Sequence, residues 1–419
     1  MKHRYRMTPL ALLLAVSASQ ATDLTDWLQL DGFGTLGAYR ADDKVASVRA
    51  DQRTANASLD KTRFDGDTLL SGQLTAHDSG PFRAVLQMLD KDDVARHWHP
   101  RVEWLYASWD ATADLNFKAG RTVLPLFLLS DTRNVAYAQT TVRPDNAVYQ
   151  LNPITNLDGA MGTWNTKLLG GDVEVDAAYG STKVTVATGT VKVKSVDVLA
   201  GKWTNGTVTL RAAHSDLKLD AALPGTQAAI SHLEAGATGC TNCASVLPAA
   251  APFNNIKGTI DTIAGVYEAG SFSAQAEWLT RQTTSALVPD ANAWYLQTSY
   301  RLGAFTPYAV VGKLNFKEPA LGLTTAAAAP PAAHAANAAF DTFLQSPNDR
   351  RIWQIGTRWD FHENMALKLQ FENFRNTRNS TIGVSNVVSY PSPPPIGTYA
   401  GPKWDGSVNL VTLNFDFVF

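Results

Sequence analysis

The chain has 419 residues, a formal net charge of −2 and a hydrophobic content of 45%, with 17 Phe, 12 Tyr and 11 Trp. Beyond its first residues no stretch offers eighteen or more continuous apolar residues, which excludes a helical inner-membrane protein. The acidic balance speaks against nucleic acid as a partner, and no motif calls for a cofactor or a metal.

The chain opens on Lys2, Arg4 and Arg6, then a short apolar run from Leu10 to Val16, then small residues from Ser17 to Ala21. This is the pattern of a secretory signal peptide cleaved after Ala21, too short to cross a bilayer as a helix. Its loss removes three positive charges and leaves a more acidic chain. Residues 22–419 are expected to form one domain, either a large exported soluble β-protein or a barrel in the outer membrane.

Period-2 alternation then recurs sixteen times, near 28–40, 64–77, 81–89, 101–110, 115–121, 157–168, 173–180, 191–203, 207–215, 259–269, 272–281, 293–302, 305–314, 351–361, 365–374 and 407–419. These lengths suit tilted strands crossing a bilayer. The connections alternate in length. Short ones are rich in Gly, Asn and Asp, such as Gly170-Gly171-Asp172, Thr204-Asn205-Gly206 and His362-Glu363-Asn364, as tight turns require. Long ones fall near 41–63, 90–100, 122–156, 181–190, 216–258, 282–292, 315–350 and 375–406. Membrane barrels sort their loops this way, with short periplasmic turns and long extracellular loops.

The faces of the strands agree. Val411, Leu413, Phe415, Phe417 and Phe419 oppose Thr412, Asn414 and Asp416; Leu367, Leu369 and Phe371 oppose Lys368, Gln370 and Glu372; Trp353, Ile355 and Trp359 oppose Gln354 and Arg358. A dry core would not accept these charges without partners. The fold expected is all-β: a transmembrane antiparallel barrel of 16 strands, or 14 or 18 if segments are wrongly split or merged, apolar toward lipid and polar toward a water-filled lumen. Trp104, Tyr106, Trp109, Trp278, Trp294, Tyr300, Trp353 and Trp359 are expected in the interfacial girdle. Alternation places Arg83, Glu103, Lys118, Arg121, Arg211, Glu277, Arg281, Arg358, Lys368 and Glu372 on the lumen wall, where fixed charge would set selectivity.

Cys240 and Cys243 lie in CTNC, which can be a redox pair, half a zinc site or a loop disulfide. No further zinc ligands stand at suitable spacing and no βαβ frame is present, and an oxidising compartment favours the disulfide. Residues 325–339, TTAAAAPPAAHAANA, suit an extracellular loop in which Pro330-Pro331 break any helix. Asn56-Ala57-Ser58 and Asn379-Ser380-Thr381 match glycosylation acceptors without implying modification.

Residues 405–419, DGSVNLVTLNFDFVF, resemble the terminal strand of Gram-negative outer-membrane porins. The hairpins YRLGAFTPYAVVGKL (300–314) and IGTRWDFHENMALKLQFENF (355–374), and the start LQLDGFGTLGAY (28–39), resemble porin strands too. The acidic PEFGG-like loop motif of the general porins is not evident. The resemblance implies a passive channel for ions and small hydrophilic solutes, a homotrimer set among outer-membrane lipid and lipopolysaccharide, and a terminal Phe419 read by the barrel-assembly machinery. It also implies that the third long loop folds into the barrel and narrows it. That loop carries an apolar run, Val123 to Leu129, and the polar set Asp131, Arg133, Arg143, Asp145 and Asn146. A channel specific for anions, sugars or organic acids shares the fold. A hydrolytic barrel would need clustered catalytic groups, whereas the His residues here are scattered and neither GxSxG nor HExxH occurs.

Overall fold

The computed structural model describes residues 22–236, 238–317, 321–345, 349–376, 388–389 and 404–419. Residues 1–21, expected to be a signal peptide, the triplet Asn379-Ser380-Thr381 and most of the eighth long loop lie outside them.

Sixteen strands make one closed sheet: β1 (Leu28–Ala41), β2 (Leu69–His77), β3 (Phe82–Lys91), β4 (Arg101–Asp110), β5 (Leu115–Val123), β6 (Asn156–Leu168), β7 (Gly171–Val186), β8 (Gly189–Thr204), β9 (Val208–Ala222), β10 (Ile256–Ala269), β11 (Phe272–Thr283), β12 (Asp290–Tyr300), β13 (Phe305–Lys317), β14 (Arg350–His362), β15 (Met365–Asn376) and β16 (Ser407–Val418). Each pairs antiparallel with its successor, and β16 closes on β1 from Leu410↔Ala41 to Val418↔Phe33. Closure removes the free edge, so the ladders satisfy the backbone N–H and C=O groups that hydrocarbon would leave unpaired. Left-handed turn residues such as Gly206 (φ 85°) and Asn364 (φ 63°) make the short connections, as the turn chemistry of the sequence requires.

Outward positions carry exposed apolar side chains all round, among them Leu105, Phe117, Leu199, Leu210, Ile263, Leu369 and Leu413. Trp109, Trp278, Trp294, Tyr300, Trp353 and Trp359 join them. Trp104 and Tyr106 do not. They flank outward-facing Leu105 and so share the inward face: Trp104 packs against the interior cluster and Tyr106 lies under the Lys118 ammonium.

The inner surface is two-sided in character. Along β7–β13 many inward positions are apolar, among them Val184, Val193, Val198, Ala213, Leu219, Ile260, Leu279, Ala293, Val310 and Leu314, and they form one buried cluster with residues of the segment 124–155. A lumen polar all the way round does not form, because this cluster packs with the segment; Arg211, Glu277 and Arg281 stand among the apolar positions and Lys202 pairs with Glu174 nearer the short turns.

Four connections differ from the sequence expectation. The β7–β8 connection is a two-residue turn, since the alternation of Val184, Val186, Val191 and Val193 carries both strands on as a long hairpin. β9 runs on to Ala222, and β2 begins at Leu69. Pro330-Pro331 do not prevent a helix: Pro331 opens one, where a missing N–H costs nothing. This helix and two others, Pro224–Glu234 and Cys243–Ala250, sit at the long-loop end. Phe340, Ile230, Leu233, Cys243 and Leu247 form a small core among them, and Cys240 is bridged to Cys243.

At the seam, Phe419 N–H donates to Gly32 O at 2.9 Å. A Cβ on Gly34 would lie 2.3 Å from Phe417 Cζ, and one on Gly32 2.1 Å from Phe419 Cζ. The rings of the last strand therefore occupy the space that side chains on the first would need. Gly34→Val should cost about 1–3 kcal/mol by overpacking, and the folded, heat-modifiable fraction and the urea midpoint should both fall. Gly72→Ala, which meets open space, should leave them unchanged; equal behaviour of the two variants would contradict this account of the seam.

Candidate functional site

Residues 124–155, the third long connection, turn into the barrel and are held there by the inner wall. Arg211 donates to Pro125 O at 2.6 Å, Thr262 to Leu126 O at 2.7 Å, Arg281 to Leu151 O at 2.7 Å and Arg358 to Gln139 O at 3.0 Å. Lys368 donates to Thr141 O at 3.0 Å, and Leu128 N–H donates to Glu277 at 3.0 Å. Thr155 donates to Glu103 at 2.6 Å on the opposite wall. The apolar run from Val123 to Leu129 meets the apolar half of the wall, where its burial offsets the entropy of ordering a long loop.

This placement revises the expected wall. Glu103, Arg211, Glu277, Lys368 and Glu372 do point inward, but they are buried beneath the loop. Buried charge must be paired: Lys368 meets Asp416 at 3.0 Å, Glu372 meets Arg143 at 2.9 Å, and Arg101 bonds Glu103 at 3.0 Å. Arg83 faces inward at the short-turn rim and pairs with Asp110. Lys118 stands 5.6 Å over the Tyr106 ring. Arg121 is misplaced by the sequence reading. It lies three residues beyond inward-facing Lys118, so alternation turns it outward, where it forms a two-pronged pair with Asp158 at 2.7 and 2.8 Å.

Within the loop, Arg143 clamps Asp67 at 2.6 and 2.9 Å and also reaches Thr412 at 3.1 Å, tying the third connection to the first. Asp145 accepts from Ala147 N–H at 2.8 Å, capping the single helical turn Asn146–Tyr149, and from Gln354 at 3.0 Å. Burial, opposed by the Ala147 N–H and reinforced by the charges of Glu372 and Glu277, pushes the Asp145 carboxyl up to about 7. Asp131 is exposed, within electrostatic range of Tyr106 and Asp176.

On the β1–β5 side a cavity remains between the loop and the first connection, lined by Arg53, Lys91, Arg101, Arg133 and Arg143 with Asp51 and Asp67. Lys91 meets Asp51 at 2.7 Å. Burial would raise the Asp51 carboxyl, but Lys91 and Arg53 outweigh it and hold it well below the usual carboxylate range. Arg133 has no carboxylate partner among the described residues. It donates to Asn152 O at 2.9 Å and Tyr149 O at 3.0 Å and lies over the Phe127 and Tyr149 rings. Of this set the sequence reading named only Arg133 and Arg143. It missed Asp51, Arg53, Asp67, Lys91 and Arg101, for which the one available signal was the density of charge in residues 49–67 and at the facing ends of β3 and β4.

Comparison with solved structures places the chain beside outer-membrane porins. OmpF of Salmonella typhi, in a complex with daunomycin, superposes with a TM-score of 0.53 at 11% identity, covering 94% of this chain and 97% of that one. An anion-selective porin from Comamonas acidovorans gives 0.52 at 13%, covering 94% and 99%. Outer-membrane-expressed OmpT of Vibrio cholerae gives 0.52 at 9%, covering 96% and 100%. No protein-family model matches the chain, and no curated protein does. The chain has the fold of the Gram-negative outer-membrane porins: a closed 16-strand antiparallel barrel.

The raised Asp145 carboxyl has a stability consequence. Its native form holds a proton that the unfolded chain releases above about pH 4, so its contribution is present at low pH and lost as pH rises through about 7. Asp145→Asn keeps the cap and removes the titration. The stability of the wild type relative to this variant, read from urea midpoints, should therefore fall between about pH 4 and pH 7 and level off above. A difference that does not change across this range would contradict the assignment.

Proposed function

We propose that the protein is an outer-membrane channel for the passive passage of ions and small hydrophilic solutes, with no catalytic role. The observation that carries this reading is the cavity between the first and third connections, where five cationic side chains and two carboxylates face one space inside a closed barrel. The third connection is the constriction, and Asp131, Arg133 and Arg143 lie on the segment that narrows the path. Selectivity arises where fixed charge meets the narrowest point, and the cavity lining is net basic, so anions are favoured over cations. The same lining favours, as a second reading, an uptake channel that selects anionic solutes.

The setting follows. The short turns face the periplasm and the long connections the exterior. Residues 1–21 are an export signal, Phe419 is the feature the assembly machinery reads, and the barrel works as a homotrimer. Porin-fold neighbours, one of them an OmpT of Vibrio cholerae described as a trimer form, support this setting.

Purified protein refolded into planar bilayers should give discrete conductance steps. Under a KCl gradient the reversal potential should report chloride preference, and Arg133→Gln should move it toward zero. Folded protein without steps would overturn the channel; cation preference would overturn the role given to the basic lining.

A further inference from the structure

On the outer surface, three cations stand directly side by side. Lys313 on β13 is opposite Arg351 on β14, and Arg351 is opposite Arg375 on β15. Directly opposed residues on adjacent strands have Cα atoms about 4.5–5.5 Å apart, and like charges so placed are destabilising. All three positions face outward: their strand neighbours Leu314, Ile352 and Phe374 are buried inside, while Arg351 and Arg375 are exposed. None of the three has an ion-pair partner among the described residues. Asp405 lies two residues from Ser407, which is opposite Arg375, but its carboxylate accepts from Ser407 N–H and forms no ion pair with the row. The contrast with β7–β9 is instructive. There Lys183 also opposes Lys192, but Asp220 stands opposite Lys192 on the other side and binds Lys194 at 2.8 Å. The row on β13–β15 lacks such compensation.

Its height identifies what it meets. Arg375 is the eleventh residue of β15 from the short-turn end, Arg351 the twelfth of β14 and Lys313 the ninth of β13. A tilted strand crosses the hydrocarbon in about 9–11 residues, so the row stands where the apolar layer gives way to headgroups on the long-loop side. Trp353, two residues below Arg351, and Trp294, directly opposite Lys313, mark that border with exposed aromatic rings.

We propose that Lys313, Arg351 and Arg375 form a docking site for a phosphate-bearing glycolipid headgroup of the outer leaflet. The anionic groups of the lipid supply the countercharge that the barrel withholds, and Trp294 and Trp353 pack along its apolar part. The site rests on the outer-membrane setting but not on conduction.

The test uses the full barrel in phosphatidylcholine nanodiscs with bis-phosphorylated lipid A added, and bound lipid A is counted by native mass spectrometry. Near a membrane surface each basic residue contributes about 1 kcal/mol to anionic-lipid attraction, so Arg351→Gln with Arg375→Gln should lower lipid A affinity roughly thirtyfold. Arg301→Gln, at an exposed arginine in the short turn between β12 and β13, should change it little. Heat-modifiable mobility shows whether each variant folds, and folded single variants replace the double one if it does not. Undiminished binding in the folded variants, or an equal loss in Arg301→Gln, would overturn the proposal. So would displacement of lipid A by equimolar inorganic phosphate, which would mark a site for free anions, or dissociation of an oligomer by the double variant, which would mark a subunit contact. Lipid A binding by a barrel that gives no current would leave this site standing and remove the channel reading.

Discussion

The seam between the last strand and the first is the junction on which everything else rests. A sheet in hydrocarbon cannot keep an open edge. β16 therefore has to find β1 across nearly the whole length of the chain, and it does so with Phe417 and Phe419 lying over the side-chain-free surface of Gly34 and Gly32. Once that ladder forms, alternation divides every strand into a lipid face and an interior face. The third connection then has a walled space to fold into.

The interior is not a uniform tube. Along β7–β13 the wall carries an apolar cluster packed against the loop, with Arg211, Glu277 and Arg281 set among it, while along β14–β16 it is polar and also covered. The charges there act as anchors: Arg358 and Lys368 hold loop carbonyls, and Glu372 holds Arg143. Holding a loop by charged groups that are themselves paired fixes its position more sharply than apolar contact alone, since each buried charge would be costly if its partner moved. The cavity between the first and third connections, beside β1–β5, is the polar space on which the functional reading depends.

The strands were legible because one physical rule, side-chain alternation, acts on every residue of them. All sixteen were found, most to within a few residues, although two run on by six and seven residues past the expected ends, to Val186 and Ala222; the outward-inward assignment failed where alternation was misapplied, at Arg121, Trp104 and Tyr106. The connections obey no such rule. Nothing local to Asp51, Arg53 or Asp67 says that the first connection folds back toward the third; that is settled by Arg143 reaching Asp67 across 76 positions of sequence. Lys368 and Glu372 were correctly read as inward, yet whether an inward charge meets water or a loop carbonyl depends on a segment more than 200 positions away. Pro330-Pro331 looked like a break because proline stops a helix from within, whereas at the first turn it starts one.

The central claim is a lopsided interior: an apolar cluster packed beneath the third connection beside β7–β13, and a charged cavity open to solutes beside β1–β5. Single cysteines at Gln73, Lys118 and Val198, probed with a membrane-impermeant thiol reagent during bilayer recording, test it most directly; Cys240 and Cys243 are bridged and silent. The account predicts that reagent reaches Gln73→Cys and Lys118→Cys and lowers the current, and leaves Val198→Cys untouched. Modification of Val198→Cys at a comparable rate, or labelling at Gln73 and Lys118 with no change in current, would contradict it.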